Sequence, residues 1–202
     1  MELNPSTTAF IACHWENDIV GADGAFAPYF RAEVERRGVI DVAGRLLDGA
    51  RRAGARRAGA RVVYTRVAFQ AGHSDLVTNI PLLGVVAQQK SLLDGTSATE
   101  IIDELKPREG DWIVTNPKVS GFASSDLDER LRSAGVDTVV LFGVATNISV
   151  ESTGRSAGDL GYRVVIVEDA CAAATPEAHE ATIASFGLLG EVASAEEVLA
   201  AL

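Results

Sequence analysis

Cysteine is nearly absent from this chain, with only Cys13 and Cys171 among 202 residues. They stand far apart in apolar or alanine-rich surroundings, with no Cys-x-x-Cys pair and no histidine at ligand spacing. That excludes a disulfide scaffold and a structural zinc site, and it suits a reducing compartment. Basic residues are scarce too. Eighteen Lys and Arg against 28 Asp and Glu leave a formal charge of -10, which repels phosphate backbones and anionic lipid heads, so no nucleic-acid partner is expected. The arginines that do cluster, Arg51, Arg52, Arg56 and Arg57, recur at helical spacing and read as a solvated helix face. No run reaches the ~18 apolar residues that span a bilayer, and the opening MELNPSTTAF has neither a basic nor an apolar leader region, so no membrane partner and a cytoplasmic location are expected. Repeats and low-complexity linkers are missing as well. With 47% hydrophobic and 23% charged residues, residues 1–202 are expected to form one globular domain.

What is present is alternation. Short β-branched apolar runs predict strands over 8–13, 61–65, 112–115, 138–142, 163–167 and 191–193, separated by amphipathic stretches. This is the pattern of a three-layer, doubly wound, mostly parallel six-stranded α/β sheet. Val39, Val42, Ala43, Leu46 and Leu47 share one face of a crossover helix, for which Gly54 offers a stop. Ser97 with Glu100, Ser125 with Asp128, and Ser194 with Glu197 read as helix N-caps, and Thr175-Pro176 places a cap before a proline. Gly135 and Gly161 fall where helices must end. Residues 69–95 lack periodicity and read as a long irregular excursion over the sheet, of the kind that forms lids or interfaces.

Ligands of open parallel sheets gather beyond the carboxyl ends of the strands. The first strand leads into His14-Trp15-Glu16-Asn17-Asp18, the third into Asn116-Pro117-Lys118-Val119-Ser120-Gly121-Phe122, and the fourth into Gly143-Val144-Ala145-Thr146-Asn147-Ile148-Ser149. This ordered set resembles the isochorismatase-like, or cysteine hydrolase, family. Its members show an Asp-x-x-Asn-Asp turn, a Lys before a Ser-x-Phe turn, and a Gly-x-x-Thr-x-x-Cys-Val turn. The likeness extends through Asp94-Gly95, Asp111, Leu127 to Leu131, Glu151 to Thr153, Gly161-Tyr162 and Glu168-Asp169-Ala170, most of the chain.

The resemblance implies a small-molecule hydrolase or lyase acting on an amide, ester or enol-ether type bond, without a cofactor, as a homodimer or homotetramer. It also implies a non-proline cis peptide at Val144-Ala145. Yet the family's three catalytic positions are occupied differently: His14 stands in place of the Asp, Asn116 of the Lys, and Ser149 of the Cys. A serine needs a positioned base to act as nucleophile, and an imidazole with its ordinary pKa near 6.5 suits proton transfer at neutral pH. His14 and Ser149 therefore form a conceivable dyad. Asp18 is a candidate to orient the ring, the Asn116 amide to donate to a substrate carbonyl, and the Ala145 to Ser149 turn to form an oxyanion hole. Lys118, Ala145 and Thr146 are further substrate-binding candidates, with Trp15 and Phe122 as pocket walls.

Plainer roles fit the same residues. His14 could cap its strand, Ser149 could be a first-turn helix residue, and Trp15 and Phe122 could be core aromatics. His73 and Asp75 resemble half of the metal site of the nicotinamidase branch, but the remaining histidines are missing and no metal is expected. Cys171 reads as an inert buried thiol, and His179 as a residue packing or capping within its own helix. The rival to an enzyme of altered mechanism is a non-catalytic member that binds a small molecule or assembles.

Overall fold

The computed structural model describes residues 1–57 and 59–202, without the side chains of 55–57. The strands are β1 (Thr8–Cys13), β2 (Arg61–Val67), β3 (Trp112–Asn116), β4 (Thr138–Val144), β5 (Arg163–Ala172) and β6 (Glu191–Ala193). They form one all-parallel sheet in the order β3-β2-β1-β4-β5-β6. Every residue of β1 and β4 is buried, because central strands covered on both faces have no solvent side. β3 lies at an edge and exposes Ile113 and Thr115. β2 to β5 all run past their predicted carboxyl ends, and β5 does so through the polar pair Glu168-Asp169, which breaks the apolar run that marked it in the sequence.

Eight α-helices are assigned among the described residues: α1 (Asn17–Val20), α2 (Ala27–Arg37), α3 (Val39–Arg57), α4 (Pro81–Gln89), α5 (Leu127–Ser133), α6 (Glu151–Asp159), α7 (Pro176–Phe186) and α8 (Ala195–Ala200). The five predicted core positions of α3 are all buried. Gly54 does not stop it. A Cβ there would lie 2.7 Å from the Ala60 carbonyl, so this glycine permits a close pass of the returning chain while the helix runs on to Arg57. The predicted basic face needs correction at Arg51, which forms a 2.6 Å ion pair with Asp111 and donates to the Tyr64 hydroxyl at 3.0 Å. The Arg56 and Arg57 side chains lie outside the described residues.

Caps were legible where a proline or a reciprocal acid fixes them. Thr175 accepts from the Ala178 amide, and Ser194 with Glu197 closes a capping box. Ser125 accepts from the Leu127 amide one residue earlier than predicted, and Ser97 starts only a single 3₁₀ turn ending at Thr99. Residues 69–95 are less irregular than predicted, because Pro81 pre-sets the first turn of α4. α2 escaped detection since only Phe30 and Val34 of its eleven residues are buried, too sparse a stripe to show periodicity.

Crossovers from β1 toward β3 step one way along the sheet and those from β4 to β6 step the other. The right-handed crossover rule thus puts α3 on one face and α6 and α7 on the opposite one. The direction reverses between β1 and β4, and the loops beyond those two strands meet at the resulting crevice.

Candidate active site

β1 and β4 are paired in register through Cys13 and Gly143, so the residues that follow them are delivered side by side. Gly143 has φ +133°, and a Cβ there would lie 2.1 Å from the Cys13 carbonyl oxygen. Only glycine permits this approach, and the β4–β5 register shifts at the same place. The chain then passes through a cis Val144–Ala145 peptide into a wide helical turn, Thr146–Val150, that carries Ser149. Across from it, His14 leaves β1 with φ +54°, a left-handed conformation uncommon outside glycine, and its amide donates to the Thr65 carbonyl at 3.1 Å. The two side chains meet: Ser149 Oγ lies 3.0 Å from His14 Nδ1, buried from solvent.

The His14 Nε2 atom has no partner among the described residues. Burial pushes the imidazolium pKa down from 6.5 to about 4, so the ring is neutral at physiological pH rather than titrating near it. In the tautomer with its proton on Nε2, Nδ1 accepts from the Ser149 hydroxyl. Both residues face a cavity of about 50 Å³ whose walls include Lys118 and Ala145, together with apolar side chains from α2, from α4 and from the segment around Phe69 and Leu92.

The remaining predicted site residues stand elsewhere. Asn116 is fully buried and its amide nitrogen donates to the carbonyls of Lys118 and Ser120, at 2.9 and 2.8 Å. Its nitrogen is thus spent on holding the 116–123 loop instead of facing a substrate carbonyl, and Asn116 is not among the cavity walls. Asp18 does not reach the His14 ring: its carboxylate accepts from the Leu92 amide at 2.8 Å and pins the 69–95 segment over the site. Trp15 is fully buried in the core, and Phe122 stacks on Tyr162 with centroids 5.8 Å apart, so neither forms a wall. The Thr146 hydroxyl is 2.9 Å from His179 Nδ1. His179 therefore ties α7 to the site turn rather than capping its own helix.

Sequence reading missed Glu16. Its side chain is completely buried, one carboxyl oxygen accepts from the Val67 amide, the other has no partner among the described residues, and burial raises its pKa to about 8. Its place in a polar turn directly after an apolar strand was the available signal. The other missed features are the apolar walls Phe26, Phe30, Leu82, Leu83 and Val86, which come from the start of α2, with the residue before it, and from α4, the two helices with the weakest sequence pattern.

His73 Nε2 contacts the Ser91 carbonyl, and the Asp75 carboxylate accepts from the Gln70 amide, so both hold turns of the same segment. Among the described residues no three His, Cys, Asp or Glu side chains gather at metal-binding spacing. Cys171 is fully buried with its thiol pKa pushed up to about 12, far from the thiolate state that nucleophilic attack needs. No helix is long and apolar enough to cross a membrane among the described residues.

The isochorismatase domain model matches residues 8–197, spanning all six strands. The chain belongs to the isochorismatase family. It is 32% identical over the full length of both chains to an uncharacterized isochorismatase family protein, YecD, of Escherichia coli O157:H7. It is 42% identical over 97 residues to the ureidoacrylate amidohydrolase RutB of Acinetobacter baylyi, a match covering 48% of this chain. The matches span 40% of that relative and 53% of an isochorismatase family protein of Bacillus subtilis, about half the length of each. Among solved structures, a cysteine hydrolase from Pseudomonas syringae superposes with a TM-score of 0.87 at 27% identity, covering 100% of this chain and 94% of the other. An isochorismatase-family fold is therefore common ground.

Proposed function

We propose that this isochorismatase-family member is a small-molecule hydrolase that uses Ser149 as nucleophile and His14 as its base. The observation that carries the reading is the 3.0 Å contact between Ser149 Oγ and His14 Nδ1 at the wall of a cavity. In the first half-reaction the Ser149 proton passes to Nδ1 as Oγ attacks the acyl carbon, and the oxyanion is met by backbone amides of the 145–149 turn. His14 then returns that proton to the departing oxygen, leaving an acyl-Ser149. Water, deprotonated by His14, releases the acid and restores the hydroxyl.

The low basicity of His14 selects among bond types. A ring neutral down to about pH 4 carries no acidic imidazolium proton at pH 7 to place on an enol ether, and it activates serine weakly, which favours an ester over a resonance-stabilised amide. Asn116, Asp18 and Thr146 act as positioning residues that hold the loops around the pair. The same weak base and small cavity favour a second reading, a non-catalytic binding protein. Reaction with diisopropyl fluorophosphate separates the two. The hydrolase is expected to gain one phosphoryl group per chain on the Ser149 peptide, with loss of labelling in Ser149→Ala and a large slowing in His14→Asn. An unlabelled Ser149, or labelling at the same rate without His14, removes the hydrolase reading.

A further inference from the structure

Of the side chains that form the cavity walls, only His14, Ser149 and Lys118 carry a nitrogen or oxygen, and thirteen are apolar. His14 Nδ1 and the Ser149 hydroxyl are committed to each other, which leaves the single His14 Nε2 atom unpaired among the described residues. Lys118 is half-buried, and it forms no ion pair among the described residues. Its backbone carbonyl is held by the buried Asn116 amide, so the base of this cation is fixed at the cavity. A ligand with several amide, ureido or hydroxyl groups would bury them against Ile19, Phe26, Phe30, Val67, Leu83 and Val86 with nothing to accept or donate, and unpaired polar groups are strongly disfavoured there. A single lysine among the walls of an otherwise apolar slot instead matches an apolar body with one negative charge.

We propose that the site takes a monoanionic carboxylate compound: an apolar body in the slot lined by α2 and α4, and one carboxylate paired with Lys118. The inference deepens the hydrolase reading by naming the class of ester turned over, an apolar ester bearing a free carboxylate. It gives Lys118, a substrate-binding candidate from the sequence, a specific part: recognition of the ligand's charge.

Equilibrium binding of benzoate and benzamide, which share a shape and differ in charge, tests this without any turnover. Calorimetry on the wild type is expected to show benzoate bound at least tenfold more tightly than benzamide. Lys118→Met is expected to equalise the two, and Lys118→Arg to retain the preference. Comparable binding of both by the wild type, binding of neither, or a preference that survives Lys118→Met overturns the proposal. The organophosphate reaction is scored separately. An unlabelled Ser149 together with Lys118-dependent benzoate binding discards the catalytic reading and keeps the ligand class, whereas a labelled Ser149 with no charge preference does the reverse.

Discussion

Glu16 accepts the Val67 amide through one carboxyl oxygen while the other is buried without a partner among the described residues. The pair ties the turn after β1 to the end of β2, directly beneath the site. Because burial raises the carboxyl pKa from 4.5 to about 8, the folded protein holds a proton that the unfolded chain releases above pH 4.5. The stabilising contribution of Glu16 is therefore complete below pH 4.5 and is lost as pH rises through 8. Glu16→Gln, which keeps the shape and cannot ionise, is expected to gain on the wild type by a few kcal/mol between about pH 5 and 9, each pKa unit being worth about 1.4 kcal/mol. Urea denaturation at the two pH values measures this, and parallel curves would contradict the buried acid.

His14 has the opposite sign. Its pKa falls from 6.5 to about 4 on folding, so its contribution to stability is present above 6.5 and lost as pH falls through 4. Turnover of an ester substrate is expected to be level from about pH 5 to 7 and to decline only near pH 4, as the base becomes protonated. His14→Asn should lower kcat by ~10²–10⁴-fold, the usual effect of losing a general base. An acid limb centred near 6.5 in the wild type would show an exposed, ordinary imidazole.

Two glycines give contrasting expectations. At Gly143 a Cβ would lie 2.1 Å from the backbone oxygen of Cys13, with φ in the positive range. Gly143→Ala is expected to cost more than ~3 kcal/mol, or to prevent folding, because both β1 and the site turn must move. Gly158, exposed within α6, has nothing within 4 Å of its would-be Cβ. Gly158→Ala is expected to stabilise by up to about 1 kcal/mol through helix propensity. Thermal melts of the two variants should move in opposite directions.

Asn116→Ala separates a positioning role from a chemical one. Removing an amide nitrogen that serves the Lys118 and Ser120 carbonyls leaves partly buried acceptors unpaired, at about 1 kcal/mol. The loop bearing Lys118 should loosen, so KM for an anionic ester is expected to rise more than kcat falls. Asn116→Lys, which introduces the residue that the family resemblance places there, is expected to be less stable than the wild type, since an ammonium cannot keep the planar amide's grip on the loop carbonyls in a buried place.

The sheet was legible because its strands are short, β-branched apolar runs separated by amphipathic stretches, and the meeting of His14 with Ser149 followed from parallel strands sending their loops to one edge. Three kinds of fact were not legible. Side-chain direction decided Asn116, Asp18 and Phe122, whose positions were well placed in sequence yet point into loops or neighbouring helices. Tertiary burial decided Glu16 and His14, whose protonation states invert their ordinary behaviour. α2 and α4, which roof the site, bury too few residues for a period to emerge, so most of the cavity's apolar wall had no local signature.

β1 is the earliest of the six strands to be synthesised and one of the two most deeply buried, yet its β4 neighbour begins only at Thr138. Until then one flank of an uninterrupted apolar strand is bare, with every backbone donor and acceptor on that side open to pairing. The crevice where His14 and Ser149 meet is, during synthesis, an unzipped seam. A nascent or truncated chain stopping short of β4 offers that seam to other copies, which ties aggregation of fragments to the same two strands that bring His14 and Ser149 together.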